Sequence, residues 1–577
     1  MKLASLVNAT VESLNEMSGA ACCSRPGVIS EGQLSALCNL WEAHLAAKPA
    51  EPAPTAREAF VLLRGTSSPS TYGLPTNLAS YRKGSVALPE SAAEAVPLLD
   101  ILPPADRLAM ANFEDHMMLT ESEVSSINQE LGEITPYCDP VLRSDWRQYA
   151  CFLRRLERAG VVRWALARKE RCTPFFVKKK NDDLRLIIDA RRFNRRCKPP
   201  PYSPMGSVPS LLGVEVPADE TLYFAASDIK DCFHHFKLPA ALQEYFGLDG
   251  LPAKLLGIRR LDGQPVAPET TIYPLIMTAP MGCSWSMYWC QRAHEHCVNL
   301  CATSFGLPGL SAAQRLQERR PFGGWPEKQS DAPFSDESTA ANSSLNLVYA
   351  DNNAVLGLCA AEVEKLSHKL HESLSSLGLP LHEKTGVVTQ GEFLGVSIDG
   401  VSGRVAPSAK RIWRVRMAFD YLSREPRVTG DEVLKLIGHA TYLFLFNRGL
   451  LSTLRHLYDF AAKAKERRVK LWASAARECV WVRDLVVLAA GNLRRTWSSS
   501  VYCSDASEDG FGVVAASWEP ERIRRLGRWR ERWRYKDEAA SAAGPRALAL
   551  ALDEKEIDVS DNTSFPEVSG RQIRGHS

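Results

Sequence analysis

Two aspartates stand out because each follows a run of apolar residues with the composition of a β-strand. Asp228 ends the segment LYFAASD, and Asp351 follows LNLVYA. A carboxylate at the end of a strand is held in place by the sheet while its oxygens stay accessible, which suits a divalent-cation site. Each aspartate taken alone is more simply explained as a turn former or a helix cap. The pair therefore raises the hypothesis of a metal site, which the surrounding elements must support.

The overall composition is that of a globular protein. The 577 residues are 45% hydrophobic and 24% charged, which excludes fibrous and wholly disordered classes and predicts two to four folded units. No apolar run approaches the roughly 18 residues of a bilayer span, and the N-terminus lacks the apolar core of a secretory signal. The 15 cysteines show no paired CxxC spacing of a zinc site. We expect a protein without a membrane span and with reduced thiols, cytoplasmic or nuclear and not secreted.

Charge is distributed unevenly along the chain. Residues 51–140 contain 5 Lys and Arg against 13 Asp and Glu, whereas residues 141–200 contain 18 against 6 and residues 401–480 contain 16 against 7. Two basic blocks of this kind are typical of a surface that binds a polyanion such as nucleic acid. Solvent-exposed basic helices explain the two blocks equally well as long as no catalytic or binding residues are identified beside them.

The first half of the chain changes character near Asp145. Residues 44–110 are rich in Ala, Pro, Ser and Glu and predict a poorly ordered leader. Apolar residues at helical spacing then predict a helix from about Asp145 to Gly160. The strand-like segments TPFFVKKK and LRLIIDA, separated by a polar turn at residues 181–183, predict a basic β-hairpin.

The second half predicts a hairpin followed by helices. The strand pattern around Asp351 turns at residues 351–353, and a helix is predicted from about residue 362 to a stop at Gly378. A second helix is predicted over 429–446, where Thr429 and Glu432 form a capping box. The polar residues 302–345 predict a surface insertion.

The order of these motifs resembles that of a retroelement (retrotransposon) reverse transcriptase. The resemblance extends from Thr173 to about Ser397. The matching segments are TPFFVKKK with LRLIIDARRFN for the fingers hairpin, SDIKDCFHHFKLP for the first palm motif, APMGCSWSMYWCQ for the motif under template and nucleotide, VYADNNAVLG for the Tyr-x-Asp-Asp hairpin, GLPLHEKTG for the lysine motif and EFLGVSID for the primer grip.

The resemblance implies an α/β (α+β) protein with the right-hand polymerase fold of fingers, palm and thumb, followed by a partial ribonuclease H-like segment. The expected division of the chain is an N-terminal leader, partly disordered, at 1–140; fingers and palm at 141–400; a helical thumb and connection at 401–495; and a truncated ribonuclease H-like segment with a disordered tail at 496–577. The implied function is RNA-directed DNA polymerase.

The family's chemistry implies a role for each matching residue. Nucleotidyl transfer joins a primer 3′-hydroxyl to the α-phosphate of a dNTP, and Mg²⁺ (or Mn²⁺) stabilises the attacking and leaving oxygens. Asp228, Ile229 and Asp351 would form the metal-binding set. Lys384 matches the lysine that gives a proton to pyrophosphate.

A second set of residues would contact the nucleotide. Lys179 and Arg185 would clamp the triphosphate, although a generic basic surface is the alternative. Phe233 would lie against the sugar and exclude a 2′-hydroxyl, although a core phenylalanine is the alternative. The full nucleotide-binding set is Lys179, Arg185, Asp231, Phe233, Gly282 and Gln291. The implied partners are an RNA or DNA template with its primer and dNTPs, and the oligomeric state is left open.

One residue departs from the family pattern. The second aspartate of the hairpin is replaced by Asn352, which keeps an oxygen ligand but loses a negative charge. Either two carboxylates suffice for catalysis, or this copy is a catalytically inactive relic that only binds nucleic acid. Both alternatives stay open at this point.

The C-terminal segment resembles the first strands of a ribonuclease H domain. In VYCSDASEDGFGVV, Asp505 would be the opening metal ligand. Glu538 lacks a helical pattern around it, and Asp561 lacks an apolar strand before it. The expectation is a truncated, inactive ribonuclease H remnant.

Overall fold

The computed structural model shows a mixed α/β protein. It describes residues 3–19, 30–48, 53–65, 78–90, 92, 94–179, 183–201, 203, 205–206, 208–303, 344–424, 427–506, 511–520, 522–523 and 571–572. The predicted turn at 181–182, most of the predicted insertion 302–345, and Glu538 and Asp561 lie outside these residues. Within the described part of the chain, no helix has the length and apolarity needed to cross a bilayer.

Helices occur throughout the described part of the chain. In chain order they are α1 Leu3–Met17, α2 Glu31–Ala46, α3 Ala56–Gly65, α4 Leu98–Ile101, α5 Pro104–Ala111, α6 Phe113–His116, α7 Glu121–Leu131, α8 Pro140–Ser144, α9 Trp146–Arg158, α10 Arg191–Arg196, α11 Val208–Leu211, α12 Ala240–Gln243, α13 Ala253–Leu256, α14 Ser286–Thr303, α15 Ala360–Ser376, α16 Ala409–Arg424, α17 Gly430–Phe444, α18 Arg455–Ala464 and α19 Ala473–Leu485. Short 3-10 helices span Cys232–His235, Arg448–Leu454 and Val486–Leu488.

The strands are mostly short. They are β1 Leu78–Ala79, β2 Val86–Ala87, β3 Val96–Pro97, β4 Val162–Ala165, β5 Thr173–Lys178, β6 Leu184–Asp189, β7 Tyr223–Ile229, β8 Phe236–Lys237, β9 Leu251–Pro252, β10 Arg260–Leu261, β11 Gln264–Pro265, β12 Thr271–Ile276, β13 Ser344–Tyr349, β14 Asn352–Gly357, β15 Leu381–His382, β16 Gln390–Phe393, β17 Val396–Asp399, β18 Arg404–Pro407, β19 Gly491–Asn492, β20 Ser500–Ala506, β21 Phe511–Ser517 and β22 Arg571–Gln572.

Several predicted elements are confirmed within one or two residues. Helix α9 covers the segment predicted from Asp145, and α15 ends just before Gly378, which has a φ of +78°. Helix α17 begins with the predicted capping box, since the Thr429 side chain accepts from the Glu432 N–H and the Glu432 carboxylate accepts from the Thr429 N–H.

The basic hairpin is an antiparallel pair in a larger sheet. Strands β5 and β6 pair from Thr173 opposite Asp189 to Lys178 opposite Leu184. The sheet order is β1-β5-β6-β2, so the residues that flank the hairpin on both sides come from the predicted leader.

The expectation of a poorly ordered leader at 44–110 is wrong for α3 and for the described residues from 78 to 110. Leu98, Leu102 and Phe113 are buried in the largest hydrophobic core, together with residues of α9, β5 and β6. Phe60 of α3 is buried in a second core with α16 and α17. The high Ala, Pro and Ser content concealed these short apolar segments because none is long enough to show a periodicity.

The sheet that carries the two aspartates lies between two cores. Its strand order is β13-β14-β7-β15. Along β7, Phe224 and Ala226 pack into one core and Ala225 and Ile229 into the other, as the two-residue alternation of a strand requires. Asp228 therefore belongs to the face of Phe224, and Ser227 to the opposite face.

A second sheet crosses the predicted boundary at residue 400. It has the order β16-β17-β18-β19, which joins strands on both sides of that position to Gly491–Asn492. The predicted helical region 401–495 therefore also contributes two strands, while α16 to α19 form the helical core expected there. Strands β20 and β21 form an antiparallel hairpin in a separate sheet with β22.

Candidate active site

Asp228 and Asp351 are brought together by the pairing of β7 with β14. The two strands are antiparallel, and Asn352 lies directly opposite Asp228. The Ile229 N–H donates a hydrogen bond of 2.8 Å to the Asp351 carbonyl oxygen. The structure thus places both aspartates at the same end of the sheet, as the sequence predicted.

The turn before Asp351 lies slightly earlier than predicted. Tyr349 and Asn352 are paired, so the turn consists of Ala350 and Asp351, and Asn352 and Asn353 already belong to β14. Ala350 has a φ of +52°, which is uncommon for a residue with a Cβ. Both strands therefore extend up to these two turn residues, and side chains outside the hairpin hold Ala350 in its unusual backbone conformation.

His382 is the closest neighbour of Asp228 that the sequence analysis did not single out. Strand β15 pairs with β7 so that His382 lies opposite Asp228, with its Nδ1 2.9 Å from Asp228 Oδ1. Burial raises the pKa of Asp228 to about 6, with His382 acting in the opposite direction and Glu383 and Asp351 adding to the rise. His382 lies inside the lysine motif, but only strand pairing shows that it contacts the aspartate.

Asn352 interacts directly with Asp351. Its Nδ2 donates a hydrogen bond of 2.8 Å to Asp351 Oδ1. Without a cation, the amide thus supplies one of the donors that a carboxylate needs. A second aspartate at this position would be an acceptor only.

The side chains at this site could bind a divalent metal ion whose remaining ligands come from water and a substrate. Asp228 Oδ1 is buried and makes no hydrogen bond of good geometry, although His382 Nδ1 lies 2.9 Å away, so this oxygen could bind a cation if His382 moved aside. Within the described residues no group of three or more His, Cys, Asp or Glu side chains is arranged as a metal cage. Mg²⁺ commonly uses one or two carboxylates, with water and substrate phosphates completing its shell. Ile229 has no ligand atom in its side chain and is 1% exposed, so it could contribute only its backbone carbonyl oxygen.

The basic hairpin reaches the same site. Lys179 Nζ lies 3.9 Å from Asp231 Oδ1, and Asp231 itself has a φ of +49° three residues after Asp228. Arg185 lies opposite Val177 on β6, and its side chain is exposed. The structure therefore brings Lys179 beside Asp231, three residues after Asp228.

Phe233 lies in the 3-10 helix that follows Asp231. It is partly buried and packs against the largest core. This placement is compatible with both alternatives raised from the sequence, because one face packs inward while part of the ring stays accessible.

Gly282 allows a loop to approach the basic hairpin closely. The loop is tied to β6 by a hydrogen bond of 2.8 Å from the Ile188 N–H to the Met281 carbonyl. A Cβ at Gly282 would overlap the Ile188 carbonyl oxygen, and the φ of +115° is open mainly to glycine. The need for glycine here is explained by backbone packing, with no nucleotide involved.

We expect Gly282→Ala to destabilise the protein by about 3 kcal/mol or more, because it combines backbone strain with a clash against β6. Urea denaturation followed by circular dichroism measures this change. Gly386→Ala is the control, since a Cβ there meets no atom within 4 Å. Equal unfolding midpoints for the two variants would contradict this role of Gly282.

Gln291 has a different role from the predicted nucleotide contact. Its side chain is fully buried; Oε1 accepts from the Ala350 N–H at 2.7 Å, and Nε2 donates to the Val348 carbonyl at 3.1 Å. Both ends of the amide are thus used by the hairpin that carries Asp351. The motif shows where the residue lies in the chain but not which side of the sheet it faces.

The remaining predicted residues lie at two different places. Lys384 is exposed next to β15, between His382 and Thr385, whose Oγ1 accepts from the Ala226 N–H at 2.8 Å. It therefore lies beside the strand of Asp228. Asp505 lies on β20, opposite Gly512, in a sheet separate from that of Asp228.

Comparison with known proteins gives likeness only to solved structures. No protein-family model matches the chain, and no curated protein matches it. One similar structure is the foamy viral protease-reverse transcriptase dRH in complex with double-stranded DNA, with 13% identity, a TM-score of 0.43 and coverage of 73% of this chain and 64% of that chain. Another is the foamy viral protease-reverse transcriptase in complex with an RNA/DNA hybrid, with 14% identity, a TM-score of 0.40 and coverage of 72% and 51%. The chain thus spans between half and two thirds of the length of these structures.

Proposed function

We propose that this protein is an RNA-directed DNA polymerase of a retrotransposon, which adds dNTPs to a primer 3′-hydroxyl on an RNA or DNA template. The observation that carries the proposal is the meeting of Asp228, on β7, with Asp351, in the turn before β14, while Lys179 of the basic hairpin lies beside Asp231, three residues after Asp228. Two carboxylates with a lysine nearby are suited to holding a nucleoside triphosphate with its metal.

The carboxylates would act by holding Mg²⁺ (or Mn²⁺). When bound, the metal supplies charge stabilisation for the attacking and leaving oxygens of an in-line transfer. Asp228 and Asp351 would hold it from two strands whose relative position is set by the hydrogen bond from Ile229 to Asp351. His382, now 2.9 Å from Asp228, would have to give up that contact.

Lys179 and Arg185 would bind the triphosphate from the fingers hairpin. Lys179 lies 3.9 Å from Asp231, so the triphosphate would compete with this carboxylate for the ammonium group. The exposed Arg185 would add a forked contact with two phosphate oxygens. Lys384, beside the strand of Asp228, would give a proton to pyrophosphate.

The primer–template duplex would pass beside the hairpin that carries Asp351. A cavity of about 690 Å³ is lined by Tyr349 of this hairpin, by Phe393 and Leu394 of the primer-grip segment, and by Arg411 and Arg414 of α16. The arginines place positive charge beside the primer-grip residues, where a phosphate backbone would benefit from it.

We expect Phe233→Ala to reduce the preference for dNTPs over ribonucleotides at least about tenfold, because the ring no longer occupies the space of a 2′-hydroxyl. Single-nucleotide incorporation with matched dNTP and rNTP pairs measures the preference. Phe233→Leu keeps most of the bulk and should keep most of the selectivity. An unchanged preference in the alanine variant would assign Phe233 to the core alone.

The proposal is tested by primer extension on poly(rA)/oligo(dT) with Mg²⁺ or Mn²⁺. Extension that requires Asp228 supports the polymerase. Duplex binding without extension would support the second candidate, an inactive relic that binds nucleic acid, which the loss of a carboxylate at Asn352 favours. In either case, β20 and β21 with Asp505 would be the remnant of a ribonuclease H domain.

A further inference from the structure

A chain of buried polar side chains lies behind the candidate site, on the face of the sheet opposite Asp228. It contains His294 of α14, Asn353 of β14, Ser227 of β7 and His371 of α15. His294, Asn353 and Ser227 are at most 3% exposed, and His371 is partly buried. Because buried polar groups are costly unless they are hydrogen-bonded, such a chain needs a structural or functional reason.

The chain begins at the turn that carries Asp351. His294 Nδ1 lies 2.7 Å from the Ala350 carbonyl oxygen. A carbonyl only accepts, so His294 carries its proton on Nδ1, and burial lowers its pKa to about 4, which keeps the ring neutral. Gln291, one helical turn earlier, accepts from the Ala350 N–H. Both backbone polar groups of Ala350 are thus held by α14.

The direction of the remaining hydrogen bonds follows from this first one. His294 Nε2 must accept, and Asn353 Nδ2 lies 3.4 Å from it. The Ser227 hydroxyl donates to Asn353 Oδ1 at 3.1 Å, which leaves its oxygen to accept from His371 Nε2, also at 3.1 Å. Ser367 Oγ also lies 3.4 Å from His371 Nε2, farther than the Ser227 oxygen. One pattern of protons therefore satisfies the chain from His294 to Ser227, with His371 Nε2 as the donor at its end.

We propose that His294, Asn353, Ser227 and His371 form a hydrogen-bond relay that holds Ala350 in its left-handed conformation and thereby positions Asp351. The relay links α14, strands β14 and β7, and α15. It offsets the cost of a φ of +52° at a non-glycine residue. These side chains are positioning residues, because they act on Asp351 only through the turn. The existence of the relay is inferred from geometry alone. Its effect on catalysis rests on the proposed function.

Two pairs of substitutions separate hydrogen bonding from packing. His294→Asn keeps a donor near the place of Nδ1, whereas His294→Gln keeps only a group near the place of Nε2. His371→Gln keeps the donor to Ser227, whereas His371→Asn is too short to reach it. Each pair differs by one methylene, so a purely structural effect should be similar within a pair.

The activity test is steady-state primer extension by the full chain. We expect His294→Gln to lower kcat about 10- to 100-fold, with KM for dNTP and duplex affinity within about twofold of wild type, because a small displacement of a catalytic group has effects of this size. His294→Asn should retain most of kcat. His371→Asn, farther from the turn, should lose about 2- to 10-fold, the value of one hydrogen bond, and His371→Gln should lose little.

The structural test does not require activity. Hydrogen exchange of the peptide that contains residues 344–357 should be faster in His294→Gln and His371→Asn than in their partners. The ¹⁵N spectra of labelled histidine should include the signal of a ring with its proton on Nδ1 that disappears in both His294 variants. These results in a wild-type protein without extension would support the relay while the polymerase proposal fails. Equal exchange within both pairs, or no such histidine signal, would overturn the relay. If His294→Gln does not fold, the His371 pair decides.

Discussion

Asp228→Asn is expected to reduce primer extension at least about 1000-fold. The substitution removes a negative charge from a side chain that would hold the metal, and with it the charge stabilisation of the transition state. The amide is close in size to the carboxylate, so the strand pairing of β7 with β14 and β15 should persist. Extension of a labelled primer with saturating Mg²⁺ measures the loss, and the free energy of unfolding shows whether the fold is kept.

The matched control is Asp262→Asn. Asp262 is exposed in the β10–β11 hairpin and has a φ of +50°, a conformation that asparagine also tolerates. It carries the same change of charge away from the sheet of Asp228. Equal activity of the two variants would remove Asp228 from the catalytic set and would leave nucleic-acid binding as the better description.

Asn352→Asp is expected to raise the extension rate about tenfold and to lower the Mg²⁺ concentration needed for half-maximal rate, because a third carboxylate adds negative charge to the metal site. Without metal, the same change should destabilise the protein by roughly 0.2–1 kcal/mol, since it places a like charge directly opposite Asp228 and removes the donor to Asp351. Extension assays across a Mg²⁺ series and unfolding in EDTA measure the two effects.

The two effects have opposite signs, which makes the result specific to the metal site. Asn112→Asp is the control because Asn112 is exposed and lies between α5 and α6. Activity that appears only in Asn352→Asp would identify the natural chain as an inactive relic with an intact fold. A lower rate in Asn352→Asp at every Mg²⁺ concentration would mean that the amide is the better partner for Asp351.

His382 shows why the site could be predicted only in part. The pattern of apolar strands ending in an aspartate indicated Asp228 and Asp351, and the structure pairs their strands. No pattern in the sequence indicated that His382 would lie opposite Asp228, because β15 is a strand of two residues, too short to show alternation. The sequence contains a weak indication of the relay, because His294 follows Gln291 by one helical turn and lies on the same face of the helix.

Local sequence determined the strands and the helix start that depend on interactions between residues close together in the chain. Alternating and continuous apolar runs predicted β5, β6, β7, β13 and β14, and the capping box of Thr429 predicted the start of α17. The side-chain types at the ends of these strands raised the hypothesis of a metal site at Asp228 and Asp351, and the family resemblance added phosphate binding by Lys179; both stay predictions.

Only the tertiary structure decided which side chains meet. Gln291 belongs to a motif expected to contact nucleotide, yet it faces the turn at Ala350 because α14 packs behind the sheet. Residues 78–131, with few apolar residues in a row, complete the core around the fingers hairpin because β5 and β6 leave edges and faces that need partners. Contacts of this kind join segments far apart in the chain, and their strength comes from burial and pairing, which no local pattern of residue types records.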